Sequence, residues 1–252
     1  MHDEFKGLWT KARYPKWMAS ARVCKPPNAK FWRVYYFTTG EYAKSDIEHG
    51  QIKVSRFSDL NDPFELAGMN LTVRGDRISI KEMRDEYNEQ RGLICFTRNW
   101  RSPLLWSHYA EKHKGVCLGF NVRRTWLYKV EYARDRVLRS DEINAPDRLN
   151  STIIKHLRKT KSAHWKYEQE MRLFIDLKGT RVITRVIEDK DLYFFPFNTD
   201  LELAEVILWV KSELQLSNIQ TLIARKYPTA IAFKARLAFG SFSILPDERS
   251  VP

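Results

Sequence analysis

Gly92-Leu93-Ile94-Cys95-Phe96-Thr97, Ser102-Pro103, Leu105-Trp106-Ser107-His108-Tyr109-Ala110 and Val116-Cys117-Leu118-Gly119-Phe120 together decide the fold class. The first and last segments are short apolar runs bounded by turn signals, which is how a buried strand reads. Between them, Ser102 takes the N-cap of a helix and Pro103 its first position, where the missing N–H costs nothing. Leu105, Trp106, Tyr109, Ala110 and His113 then recur at helical spacing until Gly115 ends the element. Strand, tight helix and strand within about 30 residues make one compact unit.

On the N-terminal side, Phe31 to Phe37 is an aromatic and β-branched run with the character of a strand. Thr38 or Thr39 can cap a short helix that stops at Gly50, where glycine accepts a left-handed conformation. Ile52 to Ser55 predicts a second strand, and Asn61-Asp62-Pro63 a turn made by Asx side-chain bonds and fixed proline φ. On the C-terminal side, a short strand is expected near Lys129 to Tyr132 and a helix around Asn150 to Thr160. Met171 to Asp176 and Ala204 to Val210 read as strands, with a helix at Ser217 to Arg225. Ile231, Phe233, Ala235, Leu237 and Phe239 alternate with other residues at period two, so a half-buried antiparallel strand closes the chain. The fold class expected is α+β, sheet-rich with short flanking helices, and not a doubly wound sheet. Residues 1–30 read as a basic aromatic N-terminal arm ending at Pro26-Pro27-Asn28, and 31–252 as a single α+β domain.

Among 252 residues, 43% are hydrophobic and 29% charged, ordinary for a globular chain that buries a real core. No run approaches the roughly 18 apolar residues of a membrane span, so no membrane partner is expected. The polar start does not resemble a signal peptide. Cys24, Cys95 and Cys117 are odd in number and widely spaced, which suits neither a disulfide framework nor a zinc site and predicts the reducing cytoplasm. Walker loops, GxGxxG, HExxH and nucleophile elbows are all missing, which lowers the standing of P-loop NTPases, Rossmann dehydrogenases, zincins and α/β-hydrolases.

A net charge of +12 favours polyanionic partners through counterion release. The cations cluster. Lys11, Arg13 and Lys16 stand among Trp9, Tyr14 and Trp17; Lys155, Arg158, Lys159, Lys161 and Lys166 stand beside His156, His164 and Trp165. Cations beside rings suit a nucleic-acid backbone with stacked bases, and equally an arm docked on its own core.

Three clusters could carry chemistry. Tyr36 and Thr38 share one face at the end of the first strand, to meet a ligand or to join the core. Trp106 and Tyr109 are neighbours on one helix face with His108 offset from them, a stripe that belongs to a core or to a binding cleft. Glu168, Glu170 and Arg172 alternate onto one strand face, and two carboxylates so placed need a cation, proton or ligand hydroxyl between them. Arg172 supplies such a cation; a ligand would let one carboxylate bond hydroxyls and the other stabilise developing positive charge.

The segments Tyr35-Tyr36-Phe37-Thr38, Phe57 to Glu65 (FSDLNDPFE), Ile94 to Thr97, Leu105 to Ala110, Lys114 to Phe120 and Trp165 to Glu170 resemble, over roughly residues 33–240, a bacterial family of domains of unknown function, number 2971. The order of elements also resembles the ADP-ribosyltransferase fold, a split antiparallel sheet with short flanking helices. That resemblance implies NAD as co-substrate, with Tyr36 in the first-strand role, Tyr109 or less directly Trp106 against nicotinamide, and Glu170 as the catalytic carboxylate. Glu168 would be the upstream carboxylate that meets the acceptor, with Thr38 and His108 nearby in the cofactor site. Tyr36 stands where the broader family more often has His, which implies a weaker or rearranged ribose contact, and with it either altered chemistry or a binding protein on the same scaffold. The resemblance further implies a glycosyltransferase of the toxin or phage-defence kind acting on nucleic acid or an associated target, with an antitoxin or regulatory protein as a further expected partner. Two rivals stand beside it: a non-enzymatic nucleic-acid-binding module on the same fold, and a metal-dependent nuclease built on Glu168, Glu170 and Asp176, whose basic neighbours disfavour a dense cation site.

Overall fold

A computed structural model describes residues 26–68, 74–136 and 151–251. β1 (Phe31–Thr38) runs into α1 (Gly40–His49) and β2 (Gln51–Arg56); α2 (Arg74–Gln90) leads to β3 (Arg91–Thr97), α3 (Pro103–Tyr109) and β4 (Val116–Arg123). Short β5 (Leu127–Lys129) and β6 (Glu131–Ala133) follow, then α4 (Ser151–Leu157), β7 (Thr160–Ser162) and β8 (Glu170–Asp176). The chain closes through β9 (Ile183–Ile187), β10 (Lys190–Pro196), β11 (Leu201–Leu208), α5 (Leu216–Lys226), β12 (Ile231–Leu237) and β13 (Ile244–Pro246).

The class is α+β: eleven of the described strands form one mostly antiparallel sheet, with β6 and β7 paired apart from it. Its topology makes the cleft. β3 pairs along one edge with β8 from Arg91–Asp176 to Thr97–Glu170. On its other edge Gly92 and Leu93 pair with Arg56 and Ser55 of β2, whereas Thr97 pairs with Tyr35 of β1. β1 therefore swings away from β2, and it pairs along its whole length with β4 instead. β1, β4, β11, β12 and β13 join the strands around β3 and β8 through the Tyr35–Thr97 pair, and beside it β1 and β3 part.

Helices close both faces. Val34, Ile47, Phe120, Val206 and Ile219 fill one core, and Tyr35, Trp106, Trp209 and Phe233 a second. Phe57, Ile80, Met83 and Leu93 form a smaller third.

The caps expected around α1 form. Thr39 Oγ1 accepts from the Tyr42 N–H at 3.2 Å, and Gly50 has φ 65°, the region glycine enters without a Cβ penalty. The central unit also forms, with one change. α3 stops at Tyr109, short of His113, because Glu111, Lys112 and His113 all turn left-handed, at φ 48°, 50° and 70°. Gly115 then donates to the Ala110 carbonyl at 2.9 Å. A Cβ at Gly115 would stand 2.2 Å from the Thr38 carbonyl oxygen, so no larger residue fits where the chain passes β1.

Other expectations need correction. The strand near Lys129 divides into β5 and β6. β12 runs parallel to β11 and antiparallel only to β13, and Phe239 lies beyond it, 98% exposed. At 17 residues α2 is not short. None of the described helices is long and apolar enough to cross a membrane.

Candidate functional site

A cavity of about 230 Å³ opens where β1 and β3 part, lined among others by Tyr36, Asn61, Cys95, Tyr109, Lys161, Glu168 and Glu170. β1 supplies Tyr36, β3 supplies Cys95, and the first residue of β8 supplies Glu170. Tyr109, the last residue of α3, reaches in from above, and the turn after β2 brings Asn61.

The floor is a network of charges. Lys161 Nζ donates to Glu168 Oε2 at 2.5 Å and to Glu170 Oε2 at 3.1 Å. Arg172, wholly buried, donates through Nε to Glu170 Oε1 at 2.8 Å and through Nη2 to Glu170 Oε2 at 3.2 Å. Its Nη1 and Nη2 also grip Glu65 in parallel, at 2.5 and 2.9 Å, the fork geometry that makes Arg–carboxylate pairs strong. Three carboxylates thus meet two cations, and the formal charge of the cluster is one negative. Burial by itself would raise Glu170, but Arg172 and Lys161 outweigh it and hold the carboxyl down to about 2. Burial likewise works against the Lys161 charge, and Glu170 and Glu168 raise that group well above an ordinary lysine.

The remaining polar groups are donors. Tyr109 gives its hydroxyl proton to Glu168 Oε1 at 2.5 Å, and the Asn61 side chain bonds the same hydroxyl. Burial and then Glu168 push Tyr109 upward; burial, Asp46 and Cys95 do the same for Tyr36. The Cys95 thiol is raised by burial and by Glu170, to which it donates. Burial and Glu170 thus favour the protonated thiol over the thiolate. Thr97 fixes the approach to β8 by donating to the Glu168 carbonyl at 2.5 Å, and the Glu170 N–H donates to the Tyr132 hydroxyl at 2.7 Å.

Of the residues singled out in the sequence, Tyr36, Tyr109, Glu168 and Glu170 come together. Glu168 arrives differently from expectation. It ends a 3₁₀ turn (Ala163–Glu168), Gln169 is left-handed at φ 48°, and the strand begins only at Glu170. The two carboxylates converge through that kink and not through strand alternation. Trp106 does not reach the cleft: it is fully buried against Phe37 and Trp209, with its indole N–H donated to the Trp100 carbonyl at 2.7 Å. Thr38 is buried opposite Val116, and exposed His108 lies beside the Tyr109 and Tyr167 rings, outside the lining. The second basic cluster divides, Lys161 turning into the cleft while Arg158 and Lys159 stack over Tyr128. Lys11, Arg13 and Lys16 lie outside the described residues. Asp176 sits at the far end of β8, paired with Arg91 at 2.9 Å, so the nuclease triad with Glu168 and Glu170 is not assembled.

The box Asn61-Asp62-Pro63-Phe64-Glu65 does more than turn. Asp62 Oδ1 accepts from the Phe64 N–H at 3.0 Å, as an Asx turn requires, but Asn61 lines the cleft and Glu65 anchors Arg172. Its signal in the sequence was a glutamate in a turn that needs no charge.

Residues 105–173 match the family described as a protein of unknown function, DUF2971. The likeness read from the sequence boxes therefore holds from Leu105 to Leu173, the segment that carries Tyr109, Lys161, Glu168, Glu170 and Arg172. No curated protein and no solved structure matches the chain.

Proposed function

We propose that the cleft binds the nicotinamide–ribose end of NAD and transfers ADP-ribose to a nucleic acid or a nucleic-acid-associated target, on a sheet of the split ADP-ribosyltransferase kind. One observation carries this reading: Tyr36, Tyr109 and Glu170, from three elements far apart in sequence, line one cavity. Its volume, about 230 Å³, suits a nicotinamide riboside and not a whole dinucleotide. The adenylate half would extend past Tyr35 toward the adjoining pocket of Arg33, Arg98 and Arg101.

Each residue then has a role. The Tyr109 ring stacks on nicotinamide, and the protonated Tyr36 hydroxyl donates to a ribose oxygen. Glu170, ionised and pinned, receives two bonds from Arg172, one from Lys161 and one from the Cys95 thiol, so a ribose hydroxyl would take the thiol's place at the fourth lone pair. As the C1′–N bond breaks, nicotinamide leaves with the electron pair and C1′ turns positive. The net negative cluster favours that charge in a water-poor site. The acceptor oxygen or nitrogen attacks C1′, and Glu168 is placed to take its proton.

Calorimetric titration of NAD into the Glu170→Gln protein tests the binding half. Tyr109→Phe should leave affinity within about twofold, while Tyr109→Ala weakens it about tenfold through lost stacking. Equal affinity in the Ala variant would remove NAD from the cleft.

A further inference from the structure

A second cavity, about 510 Å³, lies where β5 and β8 meet the 179–182 loop. Its chemistry is unlike that of the cleft. The Arg158 guanidinium lies 4.4 Å from the Phe174 ring centre and 5.4 Å from that of Tyr128, and Lys159 Nζ is 4.7 Å from Tyr128. Across the cavity Arg181 covers Trp126 at 5.1 Å and Phe195 at 5.3 Å. Arg91 is matched by Asp176, but neither Arg158 nor Arg181 has an ion-pair partner among the described residues. Arg158 Nε is buried with no hydrogen-bond partner among them. Planar cations laid on rings, with their charge uncompensated, suit a ligand that is both anionic and flat.

We propose that this cavity seats a single-stranded nucleic acid, its phosphates on Arg158 and Arg181 and on Lys159 at its border, and its bases against Trp126 and Tyr128. An unpaired strand offers ring faces and closely spaced phosphates together, whereas a duplex hides the faces and an acidic peptide lacks them. The seat is tied to the cleft. Arg172, which holds Glu170, also donates from Nη1 to the Arg158 carbonyl at 2.7 Å. Glu170 and Phe174 share one face of β8, about 13 Å apart at the usual strand rise. As the place of the acceptor, the seat rests on the NAD reading; as a binding site it does not.

The test is fluorescence anisotropy with a short labelled single-stranded RNA or DNA and no NAD present, so that failure of NAD chemistry leaves the readout intact. Lys159→Glu with Arg181→Glu should weaken binding about tenfold and flatten the salt dependence by about 1.4 on log–log axes, two phosphates' worth. Arg181 is exposed, so Arg181→Glu alone, with about a threefold loss, serves if the double variant does not fold. The same charge change on another surface, Lys211→Glu with Arg225→Glu, should shift affinity less than about twofold. Equal losses in both double variants, no binding of single strands, or a duplex bound as tightly as a single strand would overturn the assignment.

Discussion

Lys161 and Glu170 meet 3.1 Å apart in the cleft, their side chains 9% and 4% exposed. Each charge alone would be costly there, and each persists because the other, with Glu168 and Arg172, surrounds it. Lys161→Met therefore strands two carboxylates in a poorly solvated site. Urea unfolding at neutral pH should show a loss of about 3 kcal/mol. A Met variant as stable as the parent would mean that the ammonium does not sit between the acids.

The same cluster sets an acid limit. The Glu170 carboxyl lies at about 2 in the folded protein against an ordinary 4.5. A depressed acid stabilises the fold at pH above its unfolded value, and that contribution drains as pH falls through the folded one. Stability should thus fall from about pH 5 toward pH 2, by on the order of 3 kcal/mol for this group. Glu170→Gln should show a shallower fall over that window, measured by chemical unfolding at stepped pH.

Asp46 behaves in the opposite sense. Buried on α1, it is raised by that burial from 3.8 to about 7. The folded chain then holds a proton that the unfolded chain releases, so the contribution of this one group is most favourable below 3.8 and declines as pH rises to about 7. Asp46→Asn, which has no charge to bury, should raise the melting temperature above neutral pH and flatten this decline. A lower melting temperature at about pH 8 would show that the carboxylate is stabilising.

Glu65 acts through Arg172. Glu65→Gln removes one arm of the grip on a guanidinium that is 0% exposed and should cost about 3 kcal/mol in unfolding experiments. It touches no substrate atom in this scheme, so its signature in NAD cleavage is a fall in kcat at nearly constant KM, from a displaced Glu170, partly restored by Glu65→Asp. A change confined to KM would instead put Glu65 in contact with NAD.

How much of this was legible beforehand follows from the range of the forces involved. Thr39, Gly50 and the central strand–helix–strand unit act within a few residues, and they read correctly. Tyr36, Tyr109 and Glu170 were grouped only through the resemblance in the order of elements, which sets a first strand, a central helix and a later strand around one site. Trp106 and Tyr109 share one helix stripe, yet one fills the core and the other the cleft, a division made by β1 and β11 packing beneath α3. Lys161 looked like one more surface cation beside Arg158 and Lys159; its inward turn depends on carboxylates 7 and 9 residues away that a kink at Gln169 brings together. Glu65 was opaque because its partner is 107 residues distant. α2 was missed because, among its described side chains, Ile80, Met83 and Tyr87 pack inward while Ile78 stands exposed, too sparse an apolar face to show a helical period.

The most direct test of the central claim is nicotinamide release. The protein is incubated with NAD labelled in the nicotinamide ring, in the presence of RNA, DNA or cell lysate, beside the Glu170→Gln variant. The account predicts release by the parent protein in at least one mixture and a drop of about a hundredfold or more in the variant, the scale of losing a group aimed at transition-state charge. No release in any mixture, or release unchanged by Glu170→Gln, would contradict it.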